Sequence, residues 1–140
     1  MLETPAPLTH SVSSNTTAPA FWTQDTLWHV LVSSEQTGGA MTVLEQLMPK
    51  GGGPPSHVHD RLLECFFILE GAINYQVGDA IVIGKKRNAV TIPPGTTHAF
   101  NLRSEVARVL NMFTSGGFDE WITMLAVPAQ AQALPPRLGS

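Results

Sequence analysis

The residues best suited to chemistry fall in two places, the stretch 51–71, GGGPPSHVHDRLLECFFILEG, and the stretch 93–98, PPGTTH. The first contains His57-x-His59-x4-Glu64. On an extended strand, residues i and i+2 share a face. His57 and His59 therefore aim two imidazoles at one point and turn Val58 away. Glu64 opens the next apolar run and, if it faces inward, takes Phe66 and Ile68 with it. Cys65, Phe67 and Leu69 then face outward. The second stretch ends at His98, behind a rigid turn, with Phe100 on the same face. Three neutral imidazoles and one carboxylate suit a divalent first-row metal: Fe, Mn, Ni, Co, Cu or Zn, with no choice among them. Four protein ligands leave about two open positions on an octahedral metal. Open positions are what a catalytic metal needs, whereas structural zinc sites are closed.

The elements that must hold these residues read as short strands. The segments 28–32, 40–48, 62–69, 72–77, 80–83, 89–92, 98–102 and 107–113 are apolar and β-branched, and turn signals separate them. Gly78-Asp79 marks a hairpin. Pro94 and Gly95 fit the two central positions of a type II turn. The residues 50–56 form a glycine-proline loop leading into His57-x-His59. Many short strands at regular spacing predict an all-β sandwich or barrel. One helix breaks the pattern. Phe118, Trp121, Ile122 and Leu125 recur at i, i+3, i+4, i+7, with Asp119 and Glu120 in the first turn. It should be short, amphipathic and laid on the barrel.

Composition narrows the function classes. A chain of 140 residues is one domain with room for a real core. We divide it into a flexible arm over 1–20, a folded domain over 21–127 and a disordered tail over 128–140. A net charge of -3 gives no footprint for nucleic acid. Lys85-Lys86-Arg87 reads as a solvated turn. The single cysteine, Cys65, excludes an intrachain disulfide and a cysteine-based metal site. It lies in an apolar run and reads as a buried, inert thiol. His10 reads as solvated surface, and His29 as a core histidine with its nitrogens satisfied. No basic cluster leads into an apolar segment near the N-terminus, and no apolar stretch approaches the roughly 20 residues that cross a bilayer. The expectation is a cytoplasmic protein, without nucleic-acid or membrane partners.

Taken together, Gly51-x5-His57-x-His59-x4-Glu64-x6-Gly71 and Pro93-x-Gly95-x2-His98 resemble the two signature motifs of the cupin superfamily. The resemblance runs from about Leu27 to Leu125 and is closest to the single-domain cupins similar to quercetin dioxygenase. It rests on GGGPPSHVH, ECFFILEG, PPGTTHAF and GGFDEWITML. It implies a double-stranded β-helix, a jelly roll, with a metal inside and a short C-terminal helix across the barrel. It also implies that His57, His59, Glu64 and His98 are the ligands. Two departures stand out. The Gly-Asp pair that usually opens the second motif is replaced by Arg87-Asn88. Asn88 tolerates the left-handed conformation that glycine would supply. The asparagine often found four places after the last ligand histidine is Leu102, with Asn101 one place earlier.

Three function classes follow. The first is a metal-dependent dioxygenase acting on a small enolic or aromatic substrate, with Glu64 as general base. Phe66, Ile68 and Phe100 would form its apolar pocket wall. The second is a metal-dependent isomerase, lyase or cyclase in the same barrel. The third is a non-enzymatic small-molecule sensor, which does not need all four ligands. The outward apolar residues Cys65, Phe67 and Leu69 require a cover, whether the N-terminal strand, the helix or another subunit. The resemblance favours a homodimer.

Overall fold

The computed structural model describes residues 7–136 except Gln24 and Gly52. The strands are β1 (Ala20–Thr23), β2 (Thr26–Val32), β3 (Thr42–Pro49), β4 (Leu63–Glu70) and β5 (Ala72–Val77), followed by β6 (Ala80–Lys85), β7 (Ala89–Ile92), β8 (His98–Leu102), β9 (Val106–Thr114) and β10 (Val127–Pro128). The helix α1 spans Phe118–Leu125. A seven-stranded sheet has the order β10-β1-β2-β3-β9-β4-β7, and a three-stranded sheet the order β6-β5-β8. The neighbouring strands pair antiparallel. This is the mostly β, jelly-roll arrangement with one short C-terminal helix that the motif pattern implies.

The alternation of side chains decides which face is buried. Along β9, Ala107, Val109, Asn111 and Phe113 are buried, while Arg108, Leu110 and Met112 between them are half-exposed. Along β4, Glu64, Phe66 and Ile68 are buried, which is the facing expected of Glu64. On β3 the inward set is Thr42, Leu44, Gln46 and Met48. The apolar interior then divides into two clusters. One joins both sheets through Met48, Phe66, Ile68, Ile73, Tyr75, Phe100 and Val109. The other packs Trp28, Val30, Leu44 and Phe113 against Ile122 of α1.

The helix lies where its sequence placed it, but turned. Trp121 and Leu125 are 52% and 62% exposed, and the buried residues of α1 are Asp119 and Ile122. The Asp119 carboxylate sets that rotation. Its Oδ2 accepts from the Ser34 backbone N–H at 3.0 Å and the Ser34 hydroxyl at 3.2 Å, and its Oδ1 accepts from Thr42 Oγ1 at 2.7 Å. A buried carboxylate must be satisfied in this way, and that demand outranks the period of the apolar residues. Burial alone would raise the Asp119 pKa, but these donors hold it below the ordinary 3.8. Its stabilising contribution is therefore complete above that ordinary value and lost as pH falls through the lowered one. Asp119→Ala is expected to cost about 2–3 kcal/mol, because it strands the Ser34 N–H and the Thr42 hydroxyl, while the Ser34 hydroxyl keeps Glu120 Oε1 as an acceptor. Urea unfolding should show the loss at pH 7, and the variant's acid limb below about pH 4 should be flatter.

The turn Lys85–Asn88 differs from expectation in one residue. The left-handed position is Arg87, with φ 70°, and not Asn88. Asn88 supports the turn through its side chain instead, with Oδ1 accepting from Lys85 N at 2.9 Å. A non-glycine residue there costs about 1–2 kcal/mol, partly offset by the entropy that a glycine would lose on folding. Arg87→Gly is expected to raise the melting temperature by about 1–3 °C in a thermal scan.

The terminal segments lie against the barrel. In the described part of the arm, Asn15 Nδ2 donates to Glu45 Oε2 at 3.1 Å and Ala18 is buried. In the tail, Trp22 Nε1 donates to Ala133 O at 2.9 Å, and β10 pairs with β1. His29 is 2% exposed, with Nε2 at 2.6 Å from Gln132 Oε1. It is a core histidine and no part of the candidate site.

Candidate metal centre

The residues 57–59 are not a strand. Only His57 joins the sheet, through a bridge to His98, with N···O distances of 2.9 and 2.8 Å. The loop 53–62 gives up its pairing there because Gly53, Pro54 and Pro55 cannot sustain a ladder. The parity of His57 and His59 survives, since their ring centroids lie 4.9 Å apart. His98 opens β8 behind the turn Pro93–Thr96, which the Thr96 N–H closes onto Pro93 O at 3.3 Å. Gly95 has φ 76° at the position where a type II turn demands it. The Gly95 N–H donates to His59 O at 2.8 Å and so ties the two ligand segments together. Glu64 is anchored in β4 opposite Phe113 of β9 and Ile92 of β7.

These placements bring His57, His59, Glu64 and His98 together, each offering one ligand atom, all within 4.8 Å of one another. Glu64 and His98 are 3% and 2% exposed, while His57 and His59 are half-buried at the open side. Backbone carbonyls orient two of the rings. His57 Nδ1 donates to Pro55 O at 2.9 Å, and His98 Nδ1 donates to Thr96 O at 2.9 Å. With Nδ1–H engaged, each ring turns its Nε2 toward the cluster as the free donor atom.

The electrostatics fit a cation. Glu64 Oε1 lies 3.0 Å from His98 Nε2 and 3.7 Å from His59 Nε2. Yet Glu64 Oε1 and His98 Nε2 are both buried without a hydrogen bond of acceptable geometry. The two atoms lie in contact with each other and within 4.8 Å of the other two donor atoms. Orphaned buried atoms of this kind call for an occupant. The contact with the Glu64 carboxylate holds His98 above the ordinary imidazole range, against the effect of burial. Burial pulls His59 below that range, aided by His57 and His98, with Glu64 opposing. A divalent metal takes neutral imidazoles and a carboxylate, so the donor set fits it.

The rings around the cluster are not all those expected. Phe113 and Phe118 meet His59 edge-on, each with centroids 5.8 Å away, and they stack on each other at 4.4 Å. Phe66, Ile68 and Phe100 pack in the two-sheet core, with Phe66 and Phe100 centroids 5.6 Å apart. In the sequence, Phe113 and Phe118 read only as strand and helix packing. Gln46, Tyr75 and Asn111, all buried within the barrel, do not stand out there either. Asn111 carries a usable signal: a polar residue inside an apolar run, with the inward parity of Val109 and Phe113.

The cupin domain model matches residues 43–113, half of the chain. Over 113 residues, 81% of the chain, the sequence is 23% identical to quercetin 2,3-dioxygenase of Bacillus subtilis, but it spans only 34% of that protein's length. Among solved structures, KdgF from a Halomonas species superposes with a TM-score of 0.70 at 14% identity, covering 79% of this chain and 99% of that one. Oxalate decarboxylase of Bacillus subtilis, with its Mn(II) centres, superposes with a TM-score of 0.68 at 15% identity, covering 83% of this chain and 32% of that one. At such identities these likenesses establish the fold alone. The motif spacing, the two-sheet barrel, the cluster of three histidines and one glutamate, and the domain match agree, and the chain belongs to the cupin family.

Proposed function

We propose that the protein is a metal-dependent cupin enzyme of the dioxygenase kind, acting on a small enolic or aromatic substrate. The observation that carries this reading is the convergence of four donor atoms with Glu64 Oε1 and His98 Nε2 left unpaired. The distant likeness to quercetin 2,3-dioxygenase supports the reaction class. His57, His59, Glu64 and His98 would hold the divalent metal. When bound, the metal withdraws charge from a coordinated substrate oxygen and makes its proton easier to remove. Glu64 stands ready to take that proton. Phe113 and Phe118, edge-on to His59, and Phe66, Ile68 and Phe100, on the faces that carry Glu64 and His98, would form the apolar wall around the substrate. Among the described residues no helix is long and apolar enough to cross a membrane.

Oxygen uptake tests this function. Metal-loaded protein given a flavonol or another small enol should consume oxygen under air and leave the substrate intact under nitrogen. Equal turnover under nitrogen would favour an isomerase, lyase or cyclase, and ligand binding without turnover would favour a sensor.

We also propose that the outer face of the seven-stranded sheet pairs with a second copy of the chain. Cys65, Met112 and Val43 lie in one cross-strand row, flanked by the half-exposed Leu47, Phe67 and Leu110. The charges on this face, Glu45 and Arg108, pair at 2.9 Å, leaving it neutral toward its own copy. Light scattering at micromolar concentration should give a dimer mass, and a monomer mass would count against the pairing.

A further inference from the structure

Of the strands that end the two sheets, β10, β7 and β8 are guarded and β6 is not. β10 is two residues long and ends in Pro128. β7 is four residues long and runs into Pro93-Pro94. β8 takes the bridge from His57. β6 runs for six residues, and from Ala80 to Gly84 it has no charge and no proline. Its register with β5 is unbroken, from Ala80 opposite Val77 to Lys85 opposite Ala72. Ile81, Val82 and Ile83 are 76%, 39% and 45% exposed. Beside them the two sheets part around an open groove of about 500 Å³, with Val82 and Ile83 on one side and Ala89, Val90 and Thr91 on the other. An exposed, flat, apolar edge is a ready template for another strand.

Strand parity shows which backbone groups of β6 are free. The even residues of β5 face β8, since the Gly78 N–H donates to Thr97 O and the Arg103 N–H to Ala72 O, each at 2.8 Å. Tyr75 and Val77 therefore turn their backbone groups toward β6, opposite Val82 and Ala80. Ile81, Ile83 and Lys85 turn theirs away. Asn88 serves Lys85: its Oδ1 accepts from the Lys85 N–H, and its own N–H donates to Lys85 O, both at 2.9 Å. Among the described residues, no hydrogen bond reaches the outward groups of Ile81 or Ile83. Their side chains share the outer face of the small sheet with Gln76 and Asn74, their partners in register.

We propose that β6 pairs antiparallel with β6 of a second copy, about a two-fold axis at Val82, and so joins the two small sheets into one. In this register Ile81 of each copy exchanges both backbone bonds with Ile83 of the other, and every free group of the edge is satisfied. An axis at Ile81 would set Ile83 against the turn residue Asp79. An axis at Ile83 would call on Lys85, whose groups Asn88 already holds. The charges select the same register. Asp79 and Lys85 stand equally far from Val82 in the sequence, so Asp79 of each copy lies opposite Lys85 of the other. A parallel pairing would bring like charges together. The isoleucines of both copies then cover one another on the outer face. The interface is isologous and separate from the outer face of the seven-stranded sheet. With one short strand a side it belongs at the small end of interface sizes, so it forms above micromolar concentration.

Light scattering of the full chain at low salt, from micromolar to roughly millimolar concentration, tests the pairing. Whatever mass stands at micromolar concentration should at least double at the upper end. Asp79→Lys and Lys85→Asp, each alone, turn attraction into repulsion at both ends of the interface. Each should weaken the association at least about tenfold. The two together in one chain exchange the signs and should restore it. Both side chains are exposed, so the folded state should be unchanged, and each variant should melt as wild type does. Val82→Lys sets two charges against each other at the axis and should hold the mass at its micromolar value. A wild-type mass that does not rise with concentration would overturn the inference. So would a rise that the single variants share in full, or one that the double exchange fails to restore.

Discussion

Glu64→Gln is expected to keep most of its metal and to lose turnover by roughly 100-fold or more, the usual range for a lost general base. Glutamine keeps the size and one oxygen and removes most of the basicity. The site tolerates it on steric grounds, since Glu64 lies in β4 at 3% exposure with its backbone fixed by ladders on both sides. Three histidines remain, and three protein ligands already make a viable catalytic metal site. The two readouts separate the two roles of the carboxylate. Lost turnover with retained metal makes Glu64 a base. Normal turnover once metal is restored makes it only a ligand. Metal analysis and steady-state rates on the same preparation give the answer.

Replacing His57 and His59 together with alanine should remove the metal altogether. Two of the four donors go, and the remaining pair, Glu64 and His98, cannot hold a divalent ion against water. The fold should persist, because both rings are half-buried and stand on a loop, not on a core strand. His59 touches Phe113 and Phe118, so a cost of about 1–2 kcal/mol is expected. The clearest sign is in linkage. A ligand at about 1,000 times its dissociation constant stabilises the folded state by about 4 kcal/mol. Added metal should therefore raise the wild-type melting temperature and leave that of the double variant unmoved. An equal rise in both would place the metal elsewhere.

Much of this architecture is legible in the chain. Strands β4 to β9 stand out because Gly71, Gly78, Pro93-Pro94-Gly95 and the Lys85–Asn88 turn punctuate them. The inward parity of Glu64, Phe66 and Ile68 follows from the strand period alone. What is not legible depends on tertiary partners. The rotation of α1 hinges on Asp119 finding Ser34 and Thr42, residues distant in the sequence. The two-residue β10 ends in a proline and exists only because β1 is there to pair with it. His57-x-His59 has the look of a strand, but a single bridge to His98 suffices to aim it. Gln46 and Tyr75 are silent in the sequence, because a polar residue in a strand has a neighbourhood only once the sheets are folded together; Asn111 shows there only as a polar residue with inward parity.

The central claim is that His57, His59, Glu64 and His98 form one metal site, and elemental analysis of the purified protein tests it most directly. Purified protein, or apo-protein reconstituted in turn with Fe, Mn, Ni, Co and Zn, should retain one divalent ion per chain through gel filtration. No retained metal under any of these conditions would contradict it.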